Sequence, residues 1–338
     1  MDSSIPLRYL VAGNLRRDYR VLPGARLALD IPGGSVLSAA AGVRVWEKGV
    51  GLLARVGSDY PRGWLERLSK AGLDIRGVQV LSEPQDNRRF VAYDAQAGVK
   101  NENPVGVFAE LGVPFPKDLL DYASPPPGID SRTALSPLAI RPAEIPADFL
   151  DAAAAHICPM DFLAQQLLPP VLRQGHITTI TLDPSPGYMS SVFWGEIPAI
   201  LNGLAAFITS EDKLRALFEG KTTDIWEMAD TLSHFGTELI VIRRGAAGQL
   251  LYDGARRIRW AVPAYPTRVV DPTGAAHAFA GGFLAGWRNS YDPLRAVLQG
   301  NISASLIVES SDIFYAMDCM PGLAEARLAV LEGQVRRL

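Results

Sequence analysis

The residues best placed to do chemistry lie together at Arg268-Val269-Val270-Asp271-Pro272-Thr273-Gly274-Ala275-Ala276-His277-Ala278-Phe279-Ala280-Gly281-Gly282-Phe283. A β-branched run ends at an acid, a small-residue turn follows, and an Ala/Gly/Phe/Leu segment reaching Trp287 reads as a buried helix. The first amides of a helix have no intrahelical acceptor, so Gly274, Ala275 and Ala276 can cradle a transferring phosphoryl group while the helix end stabilises its charge. His277 is the first ionisable side chain inside the turn. An imidazole titrates near neutrality and can take a proton from a hydroxyl, and the positive helix end favours its neutral form. The same residues are also compatible with an anion site that does no catalysis, or with a plain strand-to-helix turn holding a hydrogen-bonded histidine.

Other polar groups fall at similar junctions. Leu7 to Ala12 is an apolar run before Gly13-Asn14, and Arg16, Arg17 and Asp18 follow it, where open α/β sheets keep their ligands. Gly33-Gly34 permits close backbone approach to a ligand, and the small residues from Ser35 to Val43 form a tightly packed helix; packing alone accounts for the glycines equally well. Asp183, Glu196, Glu211, Asp212 and Asp271 are acids near strand ends or turns, and their spacing leaves open which of them share a cation. Neither a P-loop nor a dinucleotide fingerprint is present, so a bound nucleotide requires another arrangement.

The elements that must position these groups alternate in type. Val50 to Val56 reads as a strand, Arg62 to Ala71 as an amphipathic helix ending at Gly72, and Leu73 to Leu81 as extended. From Glu83 to Pro127 the texture breaks: Arg88 to Tyr93 fits a strand, Gln96 to Pro104 is polar, and Pro125-Pro126-Pro127 cannot lie in a helix or central strand. This region reads as a lid or accessory sheet. Further on, Asp148 to Ile157 resumes the alternating pattern, Ile177 to Leu182 and Leu239 to Arg243 supply strands, and Ile197 to Ile208 is apolar enough for a helix and a short buried strand. Helices are expected from Asp161 to Gln174 with an interruption at Pro169-Pro170, from Leu214 to Phe218, Asp224 to Phe235, Gly274 to Trp287, Pro293 to Glu309 and Leu323 to Leu338. Gln249 to Tyr252 returns after Arg244-Gly245-Ala246-Ala247-Gly248 as a strand-turn-strand unit. One α/β domain over 1–338 follows, with a largely parallel sheet under helices and a lid from about 14–32 and 83–125.

Composition narrows the function. With 338 residues, 48% of them hydrophobic, the chain can bury a large core. A net charge of -3 speaks against a phosphate-backbone binder, so nucleic acid is not an expected partner. There is no apolar run of membrane-spanning length and no signal-peptide pattern, so no membrane association and a cytoplasmic location are expected. Cys158 and Cys319 read as buried free thiols, and 4 histidines do not assemble a zinc motif.

Taken together, these stretches resemble the PfkB, or ribokinase-like, family of sugar and nucleoside kinases, over most of the chain. Asp271 to Phe283 carries the strongest likeness, to the family's Asp-Thr-x-Gly-Ala-Gly-Asp followed by Ala-Phe. Gly13, Asp18, Gly33-Gly34 and Ala54-Arg55-Val56-Gly57-Ser58-Asp59 with Gly63 add to it. The resemblance implies a ribokinase-like three-layer α/β/α sandwich with a mostly parallel central sheet and a small β-rich lid. It also implies an ATP- and Mg2+-dependent phosphotransferase acting on a hydroxyl of a small sugar, nucleoside or polyol, and a possible homodimer through the lid. Asp18, Gly33, Gly34 and Ser38 would hold the acceptor, Ser38 standing where the family has asparagine. Gly274, Ala275, Ala276 and His277 would form the catalytic turn, His277 replacing the family's aspartate base and Ala276 a glycine. On the nucleotide side the resemblance places Ser210, Lys213, Arg243, Gly245, Gly248, Asp271 and Asn301. Arg243 takes a usual threonine position. Ser210-Glu211-Asp212-Lys213 aligns with Asn-x-x-Glu, so Glu211 or Asp212 would supply the cation ligand and Lys213 could approach phosphate directly. The alternatives are a ligand-binding pseudokinase or metabolite sensor, motivated jointly by Ser210, Lys213 and His277, and another phosphate-handling enzyme.

Overall fold

The structure is a computed structural model that describes residues 6–94, 98–124 and 128–338; Gln96 and Pro125-Pro126-Pro127 lie outside the described residues. Its strands are β1 Tyr9–Ala12, β2 Arg16–Leu22, β3 Arg26–Gly33, β4 Val50–Val56, β5 Leu73–Asp74, β6 Val78–Val80, β7 Arg88–Tyr93, β8 Val99–Lys100, β9 Ala154–Ile157, β10 Thr179–Leu182, β11 Ala206–Ser210, β12 Leu239–Arg243, β13 Gln249–Asp253, β14 Ile258–Val262 and β15 Arg336–Arg337. Its helices are α1 Ser35–Arg44, α2 Arg62–Lys70, α3 Pro104–Glu110, α4 Phe162–Gln174, α5 Ile197–Leu201, α6 Glu211–Leu217, α7 Ile225–Ser233, α8 Ala275–Ser290, α9 Pro293–Ile307, α10 Phe314–Met317 and α11 Leu323–Glu332. Among the described residues no helix is long and apolar enough to cross a membrane.

The main sheet runs β15-β14-β13-β12-β11-β10-β9-β1-β4-β5, with β6 also beside β4. Pairing is parallel from β12 across to β5, while β13, β14 and β15 add antiparallel strands at one edge. Side chains alternate between its faces, as strand geometry requires. Tyr9 and Val11 join the cluster that holds Val36 of α1, Phe283 of α8 and Ile302 of α9, whereas Leu10 and Ala12 join Leu168 of α4 and Leu232 of α7. Helices therefore cover both faces, and the three-layer α/β/α sandwich expected from the sequence is observed. A second, four-stranded sheet, β3-β2-β7-β8, has its own small core of Tyr19, Val21, Phe90 and Ala92 under Phe108 and Leu119.

The small residues around the turn that opens α8 have a packing role. A Cβ on Gly42 of α1 would strike the Ala278 carbonyl of α8, and one on Gly281 of α8 would strike the Ala39 carbonyl of α1. On its other side, α8 meets α9 where Gly282 faces Ser303 and Gly286 faces Gln299. Ser303 Oγ donates to the Gly42 carbonyl at 2.9 Å and accepts Trp46 Nε1 at 2.9 Å, which ties α9 to α1.

Four local expectations need correction. α4 runs through Pro169 and Pro170 without a break, because its buried stripe of Phe162, Ala164, Leu168, Pro169 and Leu172 anchors both halves despite the missing N–H groups. α6 begins at Glu211 rather than Leu214, since Ser210 Oγ accepts the Lys213 amide at 3.4 Å and acts as the N-cap. The terminal helix stops at Glu332, and Arg336 and Arg337 pair with Ala261 and Trp260 of β14, a strand the sequence reading did not assign. Cys158 is buried, but Cys319 is only partly so.

Candidate active site

The C-terminal ends of β10, β11 and β12 converge on one carboxylate. Asp183 directly follows β10, and its side chain is 1% exposed. Its Oδ1 accepts Lys213 Nζ at 2.6 Å, its Oδ2 accepts Arg243 Nη2 at 2.8 Å, and His277 Nδ1 stands 3.8 Å from Oδ2. Lys213, in the first turn of α6, also donates to the Pro184 carbonyl at 2.8 Å. Arg243, the last residue of β12, donates from Nη1 to the Ala276 carbonyl and so ties the sheet to the first turn of α8. Burial would raise the Asp183 carboxyl, but Arg243 and Lys213 overrule it and hold the group well below the usual range. Burial and the Arg243 charge lower Lys213, against the attraction of Asp183. Two cations thus share one anion, leaving net positive charge under the turn.

His277 is shaped by that cluster. Burial pushes its imidazole down to about 3; Asp183 opposes the shift, and Arg243, Lys213 and Arg89 add to it. The ring is neutral at physiological pH. Its Nδ1 is buried without a hydrogen-bond partner and faces the Asp183 carboxylate.

Asp271 fixes the entry to α8. It is fully buried, its amide and that of Val270 donate to the Val308 carbonyl at 3.0 and 2.7 Å, and its Oδ1 accepts the Thr273 amide at 2.8 Å. Gly274 has φ 88°, a left-handed conformation suited to glycine, and a Cβ there would press on Ser38 Oγ of α1. Ser38 lies beneath the turn and donates to the Gly34 carbonyl at 3.3 Å. Ala276 is exposed, so its methyl group sits at the open side of the turn.

The second sheet closes over this turn. Asp18 and Arg20 of β2 lie on one face, where Arg20 Nε donates to Asp18 Oδ2 at 3.1 Å and Arg20 Nη1 to Asp271 Oδ2 at 2.7 Å. Asp18 Oδ1 is buried with no partner, and Gly33 packs so tightly on this carboxylate that a Cβ would collide with it. Gly34, at φ 108°, leaves room for the Asn14 carbonyl. Tyr93 of β7 hydrogen-bonds through its hydroxyl to Thr273 Oγ1 at 2.8 Å, and Arg26 Nη2 donates to the Val270 carbonyl at 3.1 Å.

The structure therefore brings together Asp18, Gly33, Gly34, Ser38, Asp271, Gly274, Ala275, Ala276, His277, Lys213 and Arg243. Other expected residues serve the scaffold. Asn301 donates from Nδ2 to Gln249 Oε1 and the Pro263 carbonyl, both at 2.7 Å, and accepts the Tyr265 amide at 2.9 Å, pinning α9 to the β13–β14 edge. Gly245 and Gly248 form the turn between β12 and β13 with φ 56° and 84°. Ser210 is the α6 cap. Glu211 is taken up by Arg215 at 2.6 Å and Arg244 at 2.8 Å, and Asp212 is exposed beside it. Sequence reasoning named Asp183 only as one acid among five and overlooked Arg20 and Tyr93. The alternation Arg16-Arg17-Asp18-Tyr19-Arg20 was the available signal, since it places three charged residues on one strand face.

Residues 163–317 match the model of the pfkB family carbohydrate kinases. A cytidine kinase of Thermococcus kodakarensis is 30% identical over 284 residues, covering 83% of this chain and 88% of that protein. An ATP-dependent ribose-1-phosphate kinase of Halopiger xanaduensis is 26% identical, covering 81% of this chain and 79% of its own length. Among solved structures, an Escherichia coli protein assigned as a ribokinase II, in complex with ATP and Mg2+, superposes with a TM-score of 0.70 at 17% identity, covering 96% of this chain and 99% of that one. That last likeness establishes the ribokinase-like fold.

Proposed function

Because the chain belongs to the pfkB family of carbohydrate kinases, we propose that it transfers the terminal phosphoryl group of ATP to a hydroxyl of a small sugar or nucleoside, with His277 as the proton acceptor. The observation that carries this reading is the neutral imidazole at the first turn of α8, Nδ1 directed at Asp183, beside amides that a helix start leaves free. With the proton on Nδ1, the lone pair on Nε2 is available to the acceptor hydroxyl. As the acceptor oxygen bonds to the terminal phosphorus, its proton passes to Nε2 and the bond from that phosphorus to the bridging oxygen breaks, releasing ADP. Asp18, through its free Oδ1, and the Gly33-Gly34 backbone hold the acceptor.

The carboxylates expected to hold Mg2+ do not fit that role. Glu211 is held by two guanidinium groups, Lys213 brings an ammonium to the neighbouring position, and among the described residues no group of three His, Cys, Asp or Glu side chains could hold a metal. The charge of the transferring group therefore falls to Lys213, Arg243 and the amides of Gly274, Ala275 and Ala276. A homodimer through the second sheet belongs to the same reading, and sedimentation would test it.

ADP release measured over a panel of sugars and nucleosides tests the assignment. His277→Ala should lower kcat by roughly 10²–10⁴-fold with little change in KM, the range of general base catalysis. Undiminished kcat in the variant would remove His277 from the chemistry. Nucleotide binding without ADP release from any acceptor would move the assignment to a ligand-binding pseudokinase.

A further inference from the structure

The face of the second sheet that covers the catalytic turn carries more positive charge than the protein neutralises. β2 and β7 are parallel and in register, with Asp18 opposite Arg89 and Arg20 opposite Val91. Arg16, Asp18, Arg20, Arg89 and Tyr93 therefore share one face, and the apolar side chains of Tyr19, Val21, Phe90 and Ala92 fill the other. The charged face is the one that reaches Asp271 and Thr273.

Of its three arginines, only Arg20 has carboxylate partners, Asp18 and Asp271. Among the described residues Arg16 and Arg89 make neither an ion pair nor a side-chain hydrogen bond. The acids whose fields reach Arg16 are Asp18 and Asp86, and both are committed elsewhere, Asp18 to Arg20 and Asp86 to Arg88 at 2.8 Å. Burial lowers Arg16 and the Arg89 charge lowers it further, so the two guanidinium groups stand close enough to repel. Arg89 stands opposite Asp18 and two residues before Tyr93, whose hydroxyl reaches Thr273, so this face looks onto the entrance to the turn. Arg16 is half-buried and Arg89 exposed on the same sheet face, so an anion reaching that face from solvent meets two uncommitted guanidinium groups whose planar donors match the oxygens of a carboxylate or phosphate.

We propose that Arg16 and Arg89 seat an anionic substituent of the phosphoryl acceptor, so that the acceptor is a small sugar bearing a phosphate monoester or carboxylate rather than a neutral polyol or nucleoside. The inference rests on the phosphotransfer reading for the word acceptor, but the seat itself can be read by binding alone.

Calorimetric titration of the whole chain with ribose, cytidine, ribose 1-phosphate and gluconate, without nucleotide, supplies the test, with ADP release measured in parallel. One of the two anions should bind at least about 10-fold tighter than either neutral compound, the scale of one hydrogen-bonded charge pair. Which anion wins distinguishes phosphate from carboxylate. Arg89→Gln and Arg16→Gln, each confirmed folded by its melting curve, should collapse that ratio to about one. A neutral compound that binds as tightly as both anions overturns the proposal, as does a preference that survives both substitutions. Intact anion preference with no ADP from any acceptor would sink the phosphotransfer reading and leave the seat standing.

Discussion

Asp183 balances Lys213 and Arg243 in a buried setting, and removal of its charge leaves two cations with no counterion. Asp183→Asn should destabilise the fold by about 3–5 kcal/mol, the usual cost of breaking a buried pair, measured by urea unfolding. The histidines give a second handle. His277 is pushed down to about 3 and His156, fully buried with Nδ1 on Thr181 Oγ1, to about 4. Both stay neutral in the folded state while the unfolded chain takes up protons below about 6.5. Their contribution is complete above that pH and is lost as pH falls toward 4, with a slope approaching about 1.4 kcal/mol per pH unit for each histidine. Unfolding curves between pH 7 and 4.5 should show the decline, and His156→Asn should make it shallower. Since kcat/KM reports the free enzyme, no acid limb near 6.5 should arise from His277.

The crossing of α1 and α8 sets where the turn proposed to be catalytic lies, because Gly42 and Gly281 let each helix backbone meet the carbonyls of the other. Gly281→Ala puts a methyl group into the Ala39 carbonyl with no flexible side chain to yield. It should cost roughly 1–3 kcal/mol in urea unfolding, as overpacked cores do, and displace the start of α8 enough to lower kcat. A variant as stable and active as the parent would show that the helices can separate at no cost. The turn and the helix were legible in advance, since the acid, the turn glycine and the Ala/Gly segment each state a local preference and agree. The β-branched run before Asp271 forms no strand: it runs as irregular backbone whose Val270 and Asp271 amides donate to the Val308 carbonyl. The continuous α4 was not legible, because the penalty of Pro169 and Pro170 is local while the burial that offsets it comes from strands far away in sequence. β15 was equally hidden, since pairing at a sheet edge is made by backbone and leaves little mark on residue type.

On the scale of the whole molecule, the alternation of strands and helices was enough to give the layered architecture, and the motif at Asp271 to Phe283 was enough to locate the turn. Convergence of Asp183, Lys213, Arg243 and His277 could not be read, because they come from the ends of β10 and β12 and the first turns of α6 and α8, and only the packing of the helices on the ordered sheet brings them together. The second sheet meets the entrance to α8 through polar contacts, Tyr93 with Thr273 and Arg20 with Asp271 among them. Tyr93→Phe should speed amide exchange in β7 and around Thr273 while β10 to β12 keep their protection; unchanged exchange would show that this hydroxyl does not fasten the second sheet to the entrance of α8.

Arg20 binds a carboxylate from each side of that junction, Asp18 in the second sheet and Asp271 at the entrance to α8. A single guanidinium thus acts as common counterion to the seat read as the acceptor's and to the turn read as the phosphoryl group's. On the proposed reading of the two seats, whatever engages Asp18 changes the field felt at Asp271, and their occupancies are expected to be energetically linked. Reciprocity then demands that the factor by which acceptor alters ADP affinity equal the factor by which ADP alters acceptor affinity. Titrating each ligand with and without the other should give one and the same factor, different from one, and Arg20→Met should bring it close to one.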